Sequence, residues 1–316
     1  MKVAALILAH KNKAQIQRLI SVLKHPQVDI YIHLDKKSTL SPSDFSDYTV
    51  RFTQKRIDIS LFDFSMVDAE MELLHTALTY EHYGYYILLS GQCYPLRHID
   101  NIYNYLCKSY PKPLIEVIST DIVTMFAHQF RHPYIMKRFR VASEAFLKKH
   151  RPNKSIYPYK YVPEAIALAA STVNGLFVKN PKKRLKAVGI NPYFGSQWWI
   201  LSDVAVDEIL PFYENKYFCD CIRSCFSCDE TFFQTAIMVH ADKFGITFDD
   251  KGYYRNKKWF AIFSHNHPVL LTQSHYDQLV SSKKLFARKF DADTDSVILD
   301  MLDQHNLELR NEEIID

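Results

Sequence analysis

A chain of 316 residues with 47% hydrophobic and 23% charged residues can bury one large α/β core or two half-domains sharing a sheet, and its balance excludes disorder beyond the ends. A net charge of +4 excludes the strongly basic face of a nucleic-acid binder, whose domain pI would lie above about 9. No stretch approaches the roughly 20 apolar residues that span a bilayer. The mild positive balance suits a substrate carrying a diphosphate, and the 21 Phe, 20 Tyr and 3 Trp offer faces that stack on sugars and bases as readily as they fill cores.

The elements follow in order. Val3 to Leu8 is a continuous apolar run, the pattern of a strand buried on both faces. It follows a single Lys2 and runs into His10-Lys11-Asn12-Lys13, too short for a signal-peptide core. A cytoplasmic protein is therefore expected, with a peripheral membrane contact left open. Lys13 to Leu23 places Ile16, Leu19, Ile20 and Leu23 at helical spacing. Asp29 to Leu34 is a second strand and Tyr48 to Phe52 a third; Met66 to Leu78 is an amphipathic helix, and Tyr85 to Leu89 a fourth strand closed by Ser90-Gly91. The β-α-β-α-β order predicts a mainly parallel sheet flanked by helices. Ligands sit beyond the carboxyl ends of such strands, which singles out Ala9-His10-Lys11, Asp35-Lys36-Lys37 and Ser90 to Pro95.

Farther on the pattern loosens. Residues 128–160 are basic, and a solvated face and a substrate contact both fit them. Gly195 to Leu201 restarts a strand, Glu230 to His240 reads as a helix opening at Asp229-Glu230, and Asp295 to Gln304 reads as another. Cys219, Cys221, Cys225 and Cys228 cluster, but their spacing lacks the separated C-x2-C pairs of a zinc site. Reduced, half-buried thiols are expected instead. Asp291, Asp293 and Asp295 begin like a calcium loop, yet Ser296 and Leu302 stand where Gly and Glu are required. Phe248-Asp249-Asp250 does not form a D-x-D metal-binding motif. No metal and no cofactor are expected.

Seven segments come in one order: LILAHKN (6–12), IHLDKKS (32–38), FSMVDAE (64–70), ILLSGQCYPLR (87–97), GSQWWILS (195–202), CDETFFQT (228–235) and LFARKFD (285–291). Through them the chain resembles the core-2/I-branching β-1,6-N-acetylglucosaminyltransferases, a family that also holds peptide O-xylosyltransferases, and is most similar to the bacterial, anchor-less members. The resemblance implies an α/β, GT-A-like fold. Residues 1–110 would form the nucleotide-sugar-binding half, and 111–316 the acceptor-binding and catalytic half of the same domain. It also implies a UDP-sugar donor, N-acetylglucosamine or alternatively xylose, a glycan acceptor, inversion, and no catalytic metal. A glycan- or nucleotide-binding relative without activity is the third alternative.

Such chemistry needs a base for the acceptor hydroxyl and fixed cations for the departing diphosphate. Glu230 matches the family's base, although an acid there also suits a helix start, as does Asp229. Lys289 matches the diphosphate-binding lysine. Arg255 is chosen as the second cation, with Arg288, His265 and His267 as rivals. His10 and Asp35 are expected to contact the donor. Glu116, Arg131 and Arg138 fall where relatives contact the acceptor, and Trp198 and Trp199, adjacent on a strand, would face opposite ways. Two departures stand out: Leu61 and Phe62 replace the usual Trp-Gly, and Cys93 replaces an Asp.

Overall fold

The computed structural model describes residues 1–61, 63–122, 180–225, 227–264, 267–310 and 314. Arg131, Arg138, His265, Phe62 and the basic stretch 128–160 lie outside them. Strand β1 (Val3–Ala9) is buried along its whole length because it is the middle of a five-stranded sheet. Beside it run β2 (Val28–Leu34), β3 (Arg51–Phe52) and β4 (Tyr85–Ser90), all parallel, and β8 (Ile200–Ser202) closes the order β3-β2-β1-β4-β8 antiparallel to β4. The crossovers are helix α1 (Lys13–Val22), whose Ile16, Leu19 and Ile20 turn inward, and α2 (Phe64–Tyr80), which buries Leu73, Leu74 and Ala77. This is the mainly parallel, helix-flanked GT-A-like sheet expected from the alternation of elements.

The strand ends are held by side chains. The buried His33 accepts from the Ile57 N–H through Nε2 at 2.9 Å. Burial pushes its pKa down to about 4, so it stays the neutral acceptor this bond requires. The Arg56 guanidinium donates to the carbonyls of Leu34, Asp35 and Ser38, fixing the turn after β2.

Besides a two-stranded sheet of β11 (Phe263–Ser264) and β12 (His267–Pro268), two three-stranded sheets complete the frame among the described residues. One is β10 (Trp259–Phe260), β13 (Phe286–Arg288) and β5 (Cys93–Pro95). The other joins β7 (Tyr193–Gly195), β6 (Glu116–Ser119) and β9 (Tyr253–Arg255). Because β5 leaves directly from β4, its antiparallel partner β13 delivers the C-terminal part of the chain to the carboxyl end of the parallel sheet, with Arg288 opposite Cys93. Gln15 of α1 locks this return. Its Nε2 donates to the carbonyls of Gly91 (2.8 Å) and Phe290 (3.2 Å), and its Oε1 accepts from the Ala292 N–H at 2.7 Å.

Several boundaries differ from the sequence expectation. The run from Gly195 to Leu201 is two strands in different sheets, β7 beside β6 and β8 beside β4, with Ser196 to Trp199 crossing between them. The break has a packing cause: a Cβ at position 195 would lie 2.1 Å from the Glu116 carbonyl oxygen, so only glycine allows this approach. Strand alternation therefore does not reach the tryptophans, and both are buried. The helix expected from Glu230 is α7 (Phe232–Met238), with Thr231 at the N-cap position but making no side-chain capping bond, so Asp229 is not the N-cap residue. The third strand shrinks to its last two residues, and the final helix, α9, spans Val297–Glu308.

The Gln15 clamp generates a test. Replacing it with Leu leaves the Gly91 carbonyl and the Ala292 N–H without a partner, while the Phe290 carbonyl keeps the Gln92 amide, at a cost of about 2–4 kcal/mol. Urea denaturation should show the midpoint falling with the slope preserved.

Candidate active site

Two clusters of charge form where β13 meets the sheet. The first lies at the ends of β1 and β2. His10 follows β1, its imidazole partly covered by protein and partly open to solvent. Asp35 follows β2 and is nearly buried; its Oδ1 accepts from the Lys37 N–H at 2.8 Å, and its own N–H donates to the Ala9 carbonyl. Lys289 follows β13. The imidazole of His10 is pulled below its ordinary pKa by burial and then by Lys11, with Lys289 acting the same way and Asp35 and Asp291 opposing. Lys289 is lowered by burial first, then by Arg288 and Lys11, against Asp291. Asp291 is already engaged at 2.6 Å by Lys11, and no carboxylate among the described residues makes an ion pair with Lys289. His10, Asp35 and Lys289 thus share one electrostatic neighbourhood, in which Lys289 is the cation left for an anionic ligand.

The second cluster surrounds Glu230, in the turn before α7. The Gly195 N–H donates to its backbone carbonyl at 2.9 Å. Its carboxyl is enclosed by protein but keeps an open edge, the setting of a group in a cleft. Burial first, and the neighbouring Asp229 second, push its pKa up to about 8, while the Ser227 hydroxyl, Lys257 and Arg288 pull it down. Arg288 lies with its guanidinium 4.4 Å over the Trp198 ring. Burial lowers its pKa, against Cys93, Glu230 and Asp229, and its buried Nε has no hydrogen-bond partner among the described residues. Cys93, where the sequence carries a thiol in place of a carboxylate, is the register neighbour of this guanidinium. Lys257 is held at 3.2 Å from Glu116, which brings Glu116 to the same side.

The remaining residues fall elsewhere. Arg255 stands on β9 with its side chain half exposed, 3.4 Å from Asp249 and stacked 4.1 Å over Tyr253. Asp249 also accepts from the N–H groups of Lys251 and Tyr253, the bonds of a turn. Trp199 packs in the core against Phe233 at 4.9 Å, while Trp198 lies between Trp259 and Arg288. Asp295 accepts from Gln273 and Ile298 N–H groups. The clustered cysteines are buried, and the Cys219, Cys225 and Cys228 thiols donate to carbonyls of the neighbouring turns. In the sequence Arg288 stands only as a rival to Arg255, and Lys257 carries no mark of a role. Strand alternation could have placed Arg288, since neighbours on a strand face opposite ways; nothing in Asn256-Lys257-Lys258 marks Lys257.

A parallel sheet carrying opposed charges beyond its strand ends, with a carboxyl of raised pKa beside cations, is the arrangement of a candidate active site in an α/β fold. A family model described as Core-2/I-Branching enzyme matches residues 3–276, and the chain belongs to this family of glycosyltransferases. No curated protein matches the chain closely enough to count as a relative. Among the described residues no helix is long and apolar enough to cross a membrane.

The raised pKa of Glu230 has a consequence for stability. In the unfolded chain a Glu ionises near 4.3, and in the fold it ionises near 8. Between these values the unfolded state loses its proton and the folded state keeps it, so the contribution is full below the lower value. It is lost as pH rises through the folded pKa. Glu230→Gln, which cannot ionise, should stabilise the protein at pH 8 by on the order of 2–4 kcal/mol, with the gain fading toward pH 4. Urea denaturation at the two pH values measures this directly.

Proposed function

We propose that the chain is an inverting glycosyltransferase that moves a sugar from a UDP-sugar to a glycan hydroxyl without a metal. Glu230 is the general base in this reading. The acceptor oxygen attacks the anomeric carbon, its proton passes to the Glu230 carboxylate, and the bond from the anomeric carbon to the diphosphate oxygen breaks. The electron pair leaves with UDP. The observation that carries this reading is the adjacency of Arg288 and Lys289: one cation stands at the base, the other at the strand ends where the diphosphate would lie.

Lys289 then neutralises the departing diphosphate, and His10 and Asp35 line the approach of the nucleotide. Arg255 was the expected second cation, but its contacts with Asp249 and Tyr253 favour Arg288 for that role. Fixed cations in a partly dry site stabilise developing charge without reorganising. The pair Glu116–Lys257 and the Trp198 ring border the acceptor side. The family resemblance favours N-acetylglucosamine as the sugar, and UDP-xylose is the donor to compete against it.

Calorimetric titration of UDP in EDTA tests the donor site. The wild type should bind, and Lys289→Ala should bind at least about tenfold more weakly, a loss of ~1.4 kcal/mol. Binding that requires added Mn²⁺ would overturn the metal-free reading, and no binding in either condition would leave a non-catalytic relative. With donor and acceptor supplied, turnover should rise with pH through about 8, because the ionised form of Glu230 is the active one. Glu230→Gln should lower it by roughly 10²–10⁴-fold.

A further inference from the structure

Behind the base lies a second carboxyl with no assigned role. Glu70 of α2 is fully buried. Its Oε1 accepts from Gln197 Nε2 at 2.9 Å, and its buried Oε2 has no hydrogen-bond partner among the described residues. The Trp199 indole N–H is near enough to act on it but outside hydrogen-bonding geometry. No cation among the described residues makes an ion pair with it, and the charge that faces it, Asp229, has its own sign. A carboxylate stripped of water beside one neutral donor and an anion costs far more than an acid that keeps its proton.

What Glu70 holds bears directly on the base. Gln197 belongs to the short crossing between β7 and β8. On one side of it the Gly195 N–H donates to the Glu230 carbonyl, and the Ser196 carbonyl accepts from Gln234 Nε2 of α7 at 2.7 Å. On the other side Trp198 carries the Arg288 guanidinium. The crossing is therefore gripped from α2 through the pair Glu70–Gln197, and it seats both the base and the cation beside it.

We propose that Glu70 is a positioning residue for Glu230: kept un-ionised in the core, it holds Gln197 and, through it, the Gly195-to-Trp198 segment that seats the Glu230 backbone and the Arg288 guanidinium. The proposal rests on Glu230 being the base, so its test reads the carboxyls themselves as well as turnover. The groups facing Glu230 are Asp229, Ser227, Lys257 and Arg288, and all are left intact in the variants.

The experiment is infrared difference spectroscopy of the full chain across pH, following the carbonyl stretch of protonated carboxylic acids. The wild type should show an acid band that titrates and is lost in Glu230→Gln, and another that persists beyond the range in which exposed carboxyls ionise and is lost in Glu70→Gln. Glu70→Gln, which keeps the acceptor for Gln197, should leave the Glu230 titration in place. Glu70→Ala and Gln197→Met should move that titration and lower turnover roughly ten- to a hundredfold at unchanged UDP affinity. Gln197 is partly exposed, so its variant tests the grip even where Glu70→Ala does not fold. Absence of an acid band that depends on Glu70 once the exposed carboxyls have ionised, or a Glu230 titration unmoved in Gln197→Met, would overturn the proposal. Full turnover in Glu230→Gln would instead overturn the base assignment while the two spectral arms still decide how Glu70 acts.

Discussion

The structure depends on one pairing. Strand β13, near the end of the chain, lies antiparallel to β5, which leaves directly from the carboxyl end of a central parallel strand. Everything chemical follows from that closure. Arg288 and Lys289 reach the mouth of the sheet because β13 does, and β13 is fixed there by the Gln15 side chain joining α1, the turn after β4 and residues 290–292. A small number of buried, fully used hydrogen bonds decides the position of both cations, and buried polar groups of this kind specify one arrangement because leaving them unpaired is costly.

The second constraint is electrostatic. The fold buries Glu230 beside Asp229 and opposes the resulting strain only in part, with Ser227, Lys257 and Arg288. A carboxyl held near pH 8 is a stronger base than one in water once it has lost its proton, and the loss of stability on ionising it is the counterpart of that strength. The cations around it are themselves set by neutral or opposite partners: Arg288 rests on the Trp198 ring, and Lys257 is tied to Glu116.

Much of this was legible in the sequence. The unbroken apolar run of β1 announced a central strand, and the helical spacing of Ile16, Leu19 and Ile20 placed α1. Asp35 and His10 could be set at strand ends from topology alone. What was not legible came from contacts between distant segments. The crossing at Ser196 to Trp199 depends on the carbonyl of Glu116 meeting Gly195, and no local pattern encodes that approach. Lys257 sits in a short polar stretch, and its place beside Glu116 comes from the β6–β9 pairing. Glu70 occupies a helix whose apolar stripe reads as ordinary core, so its burial as an acid needed the packing of α2 to be seen.

The most direct test is the titration of the Glu230 carboxyl itself, followed by carbon-13 NMR in the wild type, Arg288→Gln and Lys289→Gln. The account predicts ionisation near pH 8 in the wild type, a higher value when the Arg288 cation is removed, and little change when Lys289 is neutralised, since that side chain faces the strand ends. Ionisation of the wild-type carboxyl in the ordinary glutamate range, near 4.3, would contradict it.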